Sequence, residues 1–138
     1  RKPPIPRKRE RANEMKNIEI ISNLLILRNS NLTIEDVSEI ANMLKSSTTD
    51  FIKTISLSYN EIGDFGASLL AKSMPLSINE VGLVGCKIGD EGGIEILHWM
   101  KNATNLKMIC IEQNNFSEQL KSAFTEFKRS NPQVIVVF

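Results

Sequence analysis

Cys86, Cys110 and His98 are the residues of this chain whose types could support nucleophilic or metal chemistry. A thiol becomes a nucleophile when a base or a nearby cation lowers its pKa. Around Cys110 the only basic residue close in sequence is Lys107, so no activated thiolate is expected. These three residues lack the spacing of zinc ligands, and no acidic loop has the alternation that calcium ligation requires. The segment Gly89-Asp-Glu-Gly-Gly93 has the glycines of a phosphate turn opening a helix. Its two carboxylates would repel a phosphate, and no Lys-Ser or Lys-Thr pair follows, as a P-loop requires. The expectation is a chain with no catalytic residue, no metal and no cofactor.

Charge and composition narrow the partners. The 138 residues are one domain's worth, 41% apolar and 24% charged. Residues 1–16 carry seven basic side chains against Glu10 and Glu14, a balance of +5. The remaining ten basic and fourteen acidic residues give −4. The body would therefore repel nucleic acid, and any targeting or polyanion role would fall to the basic start. The apolar runs at 24–27 and 134–138 are too short to span a bilayer, and no secretory apolar region opens the chain. Two cysteines make no disulfide framework, which predicts a reducing, cytoplasmic setting. The Asn-, Ile- and Lys-rich composition also suits a bacterial effector, for which that setting is a host-cell cytosol.

The elements that must position these side chains come from an internal repeat. Ile55-Ser-Leu57-Ser-Tyr-Asn60-Glu-Ile62 recurs as Val81-Gly-Leu83-Val-Gly-Cys86-Lys-Ile88 and as Ile109-Cys-Ile111-Glu-Gln-Asn114-Asn-Phe116. A looser copy is Leu25-Ile-Leu27-Arg-Asn-Ser30-Asn-Leu32. The Asn-type positions, 30, 60, 86 and 114, are spaced by 30, 26 and 28 residues. Two aliphatics two apart predict a short strand with both facing inward, and an Asn at the bend can bond with backbone groups the strand leaves unpaired. Helices follow, with inward faces Val37, Ile40, Ala41, Leu44; Ala67, Leu70, Ala71, Met74; Ile94, Leu97, Met100; and Leu120, Phe124, Phe127. Asp64 and Asp90, after Gly63 and Gly89, stand where caps are wanted, as do Thr33 and Ser117.

The stretches Asn60-Glu-Ile-Gly-Asp-Phe-Gly-Ala-Ser-Leu-Leu-Ala71 and Cys86-Lys-Ile-Gly-Asp-Glu-Gly-Gly93 resemble leucine-rich repeats of the ribonuclease-inhibitor type. The resemblance implies an α/β solenoid of about four repeats plus a terminal strand at 134–138, with parallel strands on the concave face and helices on the convex face. Residues 1–17 are expected to form a basic, Pro-containing segment and capping helix, and residues 18–138 the repeat domain. Cys86 falls in a slot where this repeat class accepts Asn or Cys, a structural role. His98 aligns with Lys72 on the convex helices, opposite Cys110, which argues against a Cys–His dyad. Trp99 aligns with Ser73, read as an exposed convex position, with core packing as the equal alternative.

Such solenoids bind proteins, so the chain is expected to be a protein-binding module rather than an enzyme. Its concave face would hold one partner protein, and the resemblance extends the expectation to inhibiting it. The partner-binding residues expected from strand alternation are Ile26, Arg28, Asn29, Ser58, Tyr59, Val84, Met108, Cys110, Glu112 and Gln113. Tyr59, two residues after Leu57 at the concave rim, is the expected anchor. The alternatives are self-association through the apolar last strand and a role as the adaptor part of a larger enzyme.

Overall fold

The repeated aliphatic pairs become five short parallel strands in the computed structural model, which describes residues 18–46 and 49–138. The expected N-terminal segment and capping helix at 1–17 lie outside the described residues. In chain order the elements are β1 (Leu24–Ile26), α1 (Ile34–Lys45), β2 (Thr54–Ser56), α2 (Gly63–Ala71), β3 (Glu80–Gly82), α3 (Asp90–Asn102), β4 (Met108–Cys110), α4 (Glu118–Ser130) and β5 (Ile135–Val137). The sheet order is β1-β2-β3-β4-β5, parallel throughout. The register aligns Leu25, Ile55, Val81, Ile109 and Val136 in one row. All five are buried, as are Leu27, Leu57, Leu83 and Ile111 just beyond the strands. The helices lay their apolar faces over these rows, and Ile18 and Ile20 pack against the same core.

At each bend a side chain from one repeat completes the backbone of the repeat before it. The Asn60 Oδ1 accepts from the Ser30 and Leu32 N–H groups, each at 3.0 Å. Its Nδ2 donates to the carbonyls of Leu27 at 2.8 Å, Leu57 at 2.9 Å and Ser58 at 3.3 Å. Asn114 repeats the arrangement, accepting from Cys86 and Ile88 and donating to Leu83, Ile111 and Glu112. Cys86 supplies only the donor half, with its Sγ 3.4 Å from the Leu57 carbonyl and 3.5 Å from that of Val84. At that joint Asp64 adds two bonds, its Oδ1 accepting from the Gly89 and Gly92 N–H groups at 2.8 Å.

Asp64 and Asp90 thus depart from expectation. The N-caps of α2 and α3 are Ile62 and Gly89, without side-chain cap bonds. Each carboxylate instead serves the next repeat, that of Asp90 accepting from the Ser117 N–H at 2.8 Å. Thr33 and Ser117 cap as expected, Thr33 in a reciprocal box with Asp36.

Two helical assignments also change. Ile94, expected in the core, is 54% exposed. Gly93 takes the inward slot instead, where a Cβ would lie 2.6 Å from Leu120 and 2.8 Å from Phe116. The inward positions that follow are Ile96, Leu97 and Met100, which leaves Ile94 outside. Ser73, read as exposed, is buried with its hydroxyl on the Leu69 carbonyl. Trp99 accordingly takes the core alternative, and its Nε1 donates to the Met74 carbonyl at 3.1 Å.

Asn60→Ala strands several buried backbone groups, so its expected cost is about 3 kcal/mol, read from the urea midpoint. An unchanged midpoint would contradict the bridging role. A second outcome concerns pH. Bonds from the Ser117 hydroxyl and N–H hold the Asp90 carboxyl below the ordinary carboxylate range. Its stabilisation is present above that range and is lost as pH falls through the depressed value. Stability curves of Asp90→Asn and the parent should therefore converge in acid and separate toward neutrality.

Candidate partner-binding surface

Alternation along each strand decides which side chains leave the core. Leu24 and Ile26 on β1 are exposed, as are Ile135 and Val137 on β5. Between them Thr54, Ser56, Gly82, Met108 and Cys110 are half-buried, and Glu80 is exposed. Beyond the strands Arg28, Asn29, Tyr59 and Gln113 are exposed, while Val84 and Glu112 are half-buried. Nine of the ten residues expected at this surface are thus at least partly open to it. Ser58 is not. It is buried, and its hydroxyl accepts from the Val84 N–H at 2.9 Å, because the chain is already curling inward where alternation pointed it outward.

A column of left-handed residues edges the surface. Asn29, Tyr59, Gly85 and Gln113 have φ of 49°, 62°, 61° and 62°. The first three donate their N–H groups to the carbonyls of Ser58, Val84 and Glu112, which carries the ladder past the strands and fixes the bend. For a tyrosine this conformation costs about 1–2 kcal/mol. Its ring fills the space above Gly85, where a Cβ would come within 3.0 Å of Cδ1 and Cε1. From the preceding repeat, the Arg28 guanidinium lies 4.8 Å from the ring centroid. Arg28, Tyr59, Gly85 and Gln113 therefore form one continuous rim across four repeats.

Burial pushes the Cys110 thiol pKa up, with smaller upward contributions from Glu112 and Glu80, which disfavours a thiolate. Burial raises that of Cys86 as well. His98 is exposed on the helical face, away from both. The Oε1 of Glu112 is enclosed and accepts no hydrogen bond among the described residues. No described helix is long and apolar enough to cross a membrane.

The sequence reading missed an apolar spot on the opposite face, where Phe65 and Ile94 are exposed. The signal was in the repeat alignment. Phe65 stands where the other repeats have Glu35, Glu91 and Gln119, and Ile94 where they have Ser38, Ser68 and Ser122.

A family model described as "Leucine Rich repeat" matches residues 51–71 and 77–97, the segments carrying β2 with α2 and β3 with most of α3. No curated protein matches the chain. A solved structure titled "Leiomodin-1 Actin-Binding Site 2 (ABS2)" is similar at a TM-score of 0.74 and 15% identity, over 93% of this chain and 76% of that one. The chain is an α/β leucine-rich-repeat solenoid, with strands lining one face and helices the other.

The rim yields a prediction. Tyr59→Gly relieves the left-handed strain and loses the stacking on Arg28, worth roughly 0.5–1 kcal/mol. Stability should change by no more than about 1 kcal/mol, because these terms oppose each other. A loss well beyond that in chemical unfolding would make the ring a structural rather than a recognition element.

Proposed function

We propose that this chain holds a partner protein through its concave strand face and the adjoining rim, and that it inhibits the partner whose working surface it covers. Inhibition is what the resemblance of the stretches 60–71 and 86–93 to repeats of the ribonuclease-inhibitor type implies. The observation that carries the reading is Tyr59, a bulky aromatic kept partly exposed in a costly backbone conformation where glycine occupies the equivalent position of the next repeat. Strain of this kind collects at functional sites. The enclosed Glu112 oxygen adds a polar feature, to be met by a donor of the partner.

Area sets a condition. Five three-residue strands, about 4.8 Å apart and about 10 Å long, give roughly 250 Å², about a third of one side of an ordinary interface. The rim from Arg28 to Gln113 must therefore take part. The leiomodin structure is titled an actin-binding site. It supports use of this scaffold for holding proteins, while at 15% identity the partner of this chain is to be found by affinity capture. Two free cysteines support a reducing, intracellular setting.

A second reading rests on β5, whose Ile135 and Val137 stay exposed at one end of the sheet. Pairing of that strand with another copy would build a larger assembly. Concentration-dependent sedimentation separates this from binding a different protein.

The test is calorimetric titration of the captured partner. Tyr59→Ala should weaken binding by about 2 kcal/mol, and Glu112→Lys should lower affinity or the association rate. The helical-face changes Lys72→Glu and Lys101→Glu should leave affinity unaltered. The reverse pattern would move the interface to the helices.

A further inference from the structure

Two departures from the repeat pattern converge on the helical face. Phe65 on α2 and Ile94 on α3 replace residues that are charged or polar at the matching positions of every other repeat. Phe65 is 66% exposed, the most of any large apolar side chain among the described residues. Their neighbours in the solenoid have solvated faces, so nothing in the stacking calls for apolar groups here. Both line one groove of about 510 Å³ between the helices, together with Asp64, Ser68, Glu91 and Glu95. Burial of two such side chains by a visitor is the dominant favourable term available there.

The rim of the groove defines the visitor. Glu91 and Glu95 lie four residues apart, on the same side of α3, and repel one another. Neither pairs with a cation among the described residues, whereas Glu61, Glu118 and Glu126 each do. Asp64, already accepting two backbone bonds, adds a third carboxylate. Phosphate-bearing ligands and anionic membranes are repelled by such a rim. A helix laid along α3 presents side chains four residues apart at about 6 Å, the same repeat as the two glutamates.

We propose that this groove docks a basic amphipathic helix of a partner protein, with one or two large apolar side chains against Phe65 and Ile94 and Lys or Arg residues on Glu91 and Glu95. This is a second surface, independent of the concave face, and it would let the solenoid join two proteins.

The probe for the test is a fluorescein-labelled helical peptide of leucines on one face flanked by lysines four residues apart, followed by anisotropy against the full chain. Phe65→Gln with Ile94→Ser installs residues that other repeats use at these positions, so the fold is retained, as circular dichroism would verify. This pair should weaken the peptide about tenfold or more. Glu91→Gln with Glu95→Gln should weaken it and flatten its salt dependence. A control peptide with glutamines in place of the leucines should bind at least about tenfold more weakly than the probe. Equal binding of that control would reduce the effect to net charge and overturn the proposal. Equal binding by the Phe65→Gln/Ile94→Ser variant, or absence of probe binding to the parent chain, would also overturn it. Loss of the probe on Tyr59→Ala alone would assign the peptide to the concave surface, again against the groove. Apart from that last outcome, none of these results bears on the concave reading of partner binding, which has its own titration.

Discussion

A strand of three residues cannot satisfy the backbone that follows it, and the whole solenoid depends on borrowing the missing partners from the next repeat. The carboxamide of Asn60 accepts two N–H groups from the first repeat and donates to carbonyls of both the first and the second. Asn114 does the same two joints further along, past the joint held by Cys86. Buried backbone polar groups left unpaired would each cost free energy comparable to a lost hydrogen bond. No repeat is therefore complete alone, and stacking is enforced by hydrogen-bond accounting as much as by burial. The joint with Cys86 in place of Asn is also the one where Asp64 reaches across to two N–H groups. There Gly92 lets the helices close, since a Cβ on it would lie 2.8 Å from that of Ala67.

This mode of cohesion leaves one set of side chains unused. Inward rows belong to the core and the turns to the cross-repeat bridges, so the outward strand positions and the left-handed rim are free for recognition. They are also held firmly. The ladder of N–H groups running from Asn29 through Tyr59 to Gly85 fixes the backbone that carries the rim. Side chains presented on such a frame lose little conformational entropy on binding. The exposed pair on α2 and α3 has the same property, because close helix contact fixes the spacing of Phe65 and Ile94.

The repeat was legible because its signal is physical and periodic. Inward aliphatics recur at fixed offsets from an Asn-type residue, and the strand register follows those offsets from Leu25 to Ile109. Individual orientations were less legible where local rules give way. Ser58 follows the alternation on paper, but the chain bends within two residues and turns its hydroxyl onto the Val84 N–H. In α3 the inward register is that of α2, with Gly93 in the place of Ala67 and Trp99 in that of the buried Ser73, so Ile94 takes the position of Ser68 outside the core. Asp64 and Asp90 looked like caps of their own helices because their true partners lie 25 to 28 residues away. The candidate concave surface was readable as a set of positions. The left-handed backbone of Tyr59 was not, since nothing in its local sequence requires it.

The central claim is that side chains of one repeat lock the backbone of its neighbour into a single cooperative stack. Native-state amide hydrogen exchange measures this at the atoms concerned. The Ser30 and Leu32 N–H groups, bonded only across repeats to Asn60, should open with the same free energy as the Leu57 N–H within the sheet, near the global value. Exchange of those two amides at rates typical of a frayed turn, while Leu57 stays protected, would contradict the account.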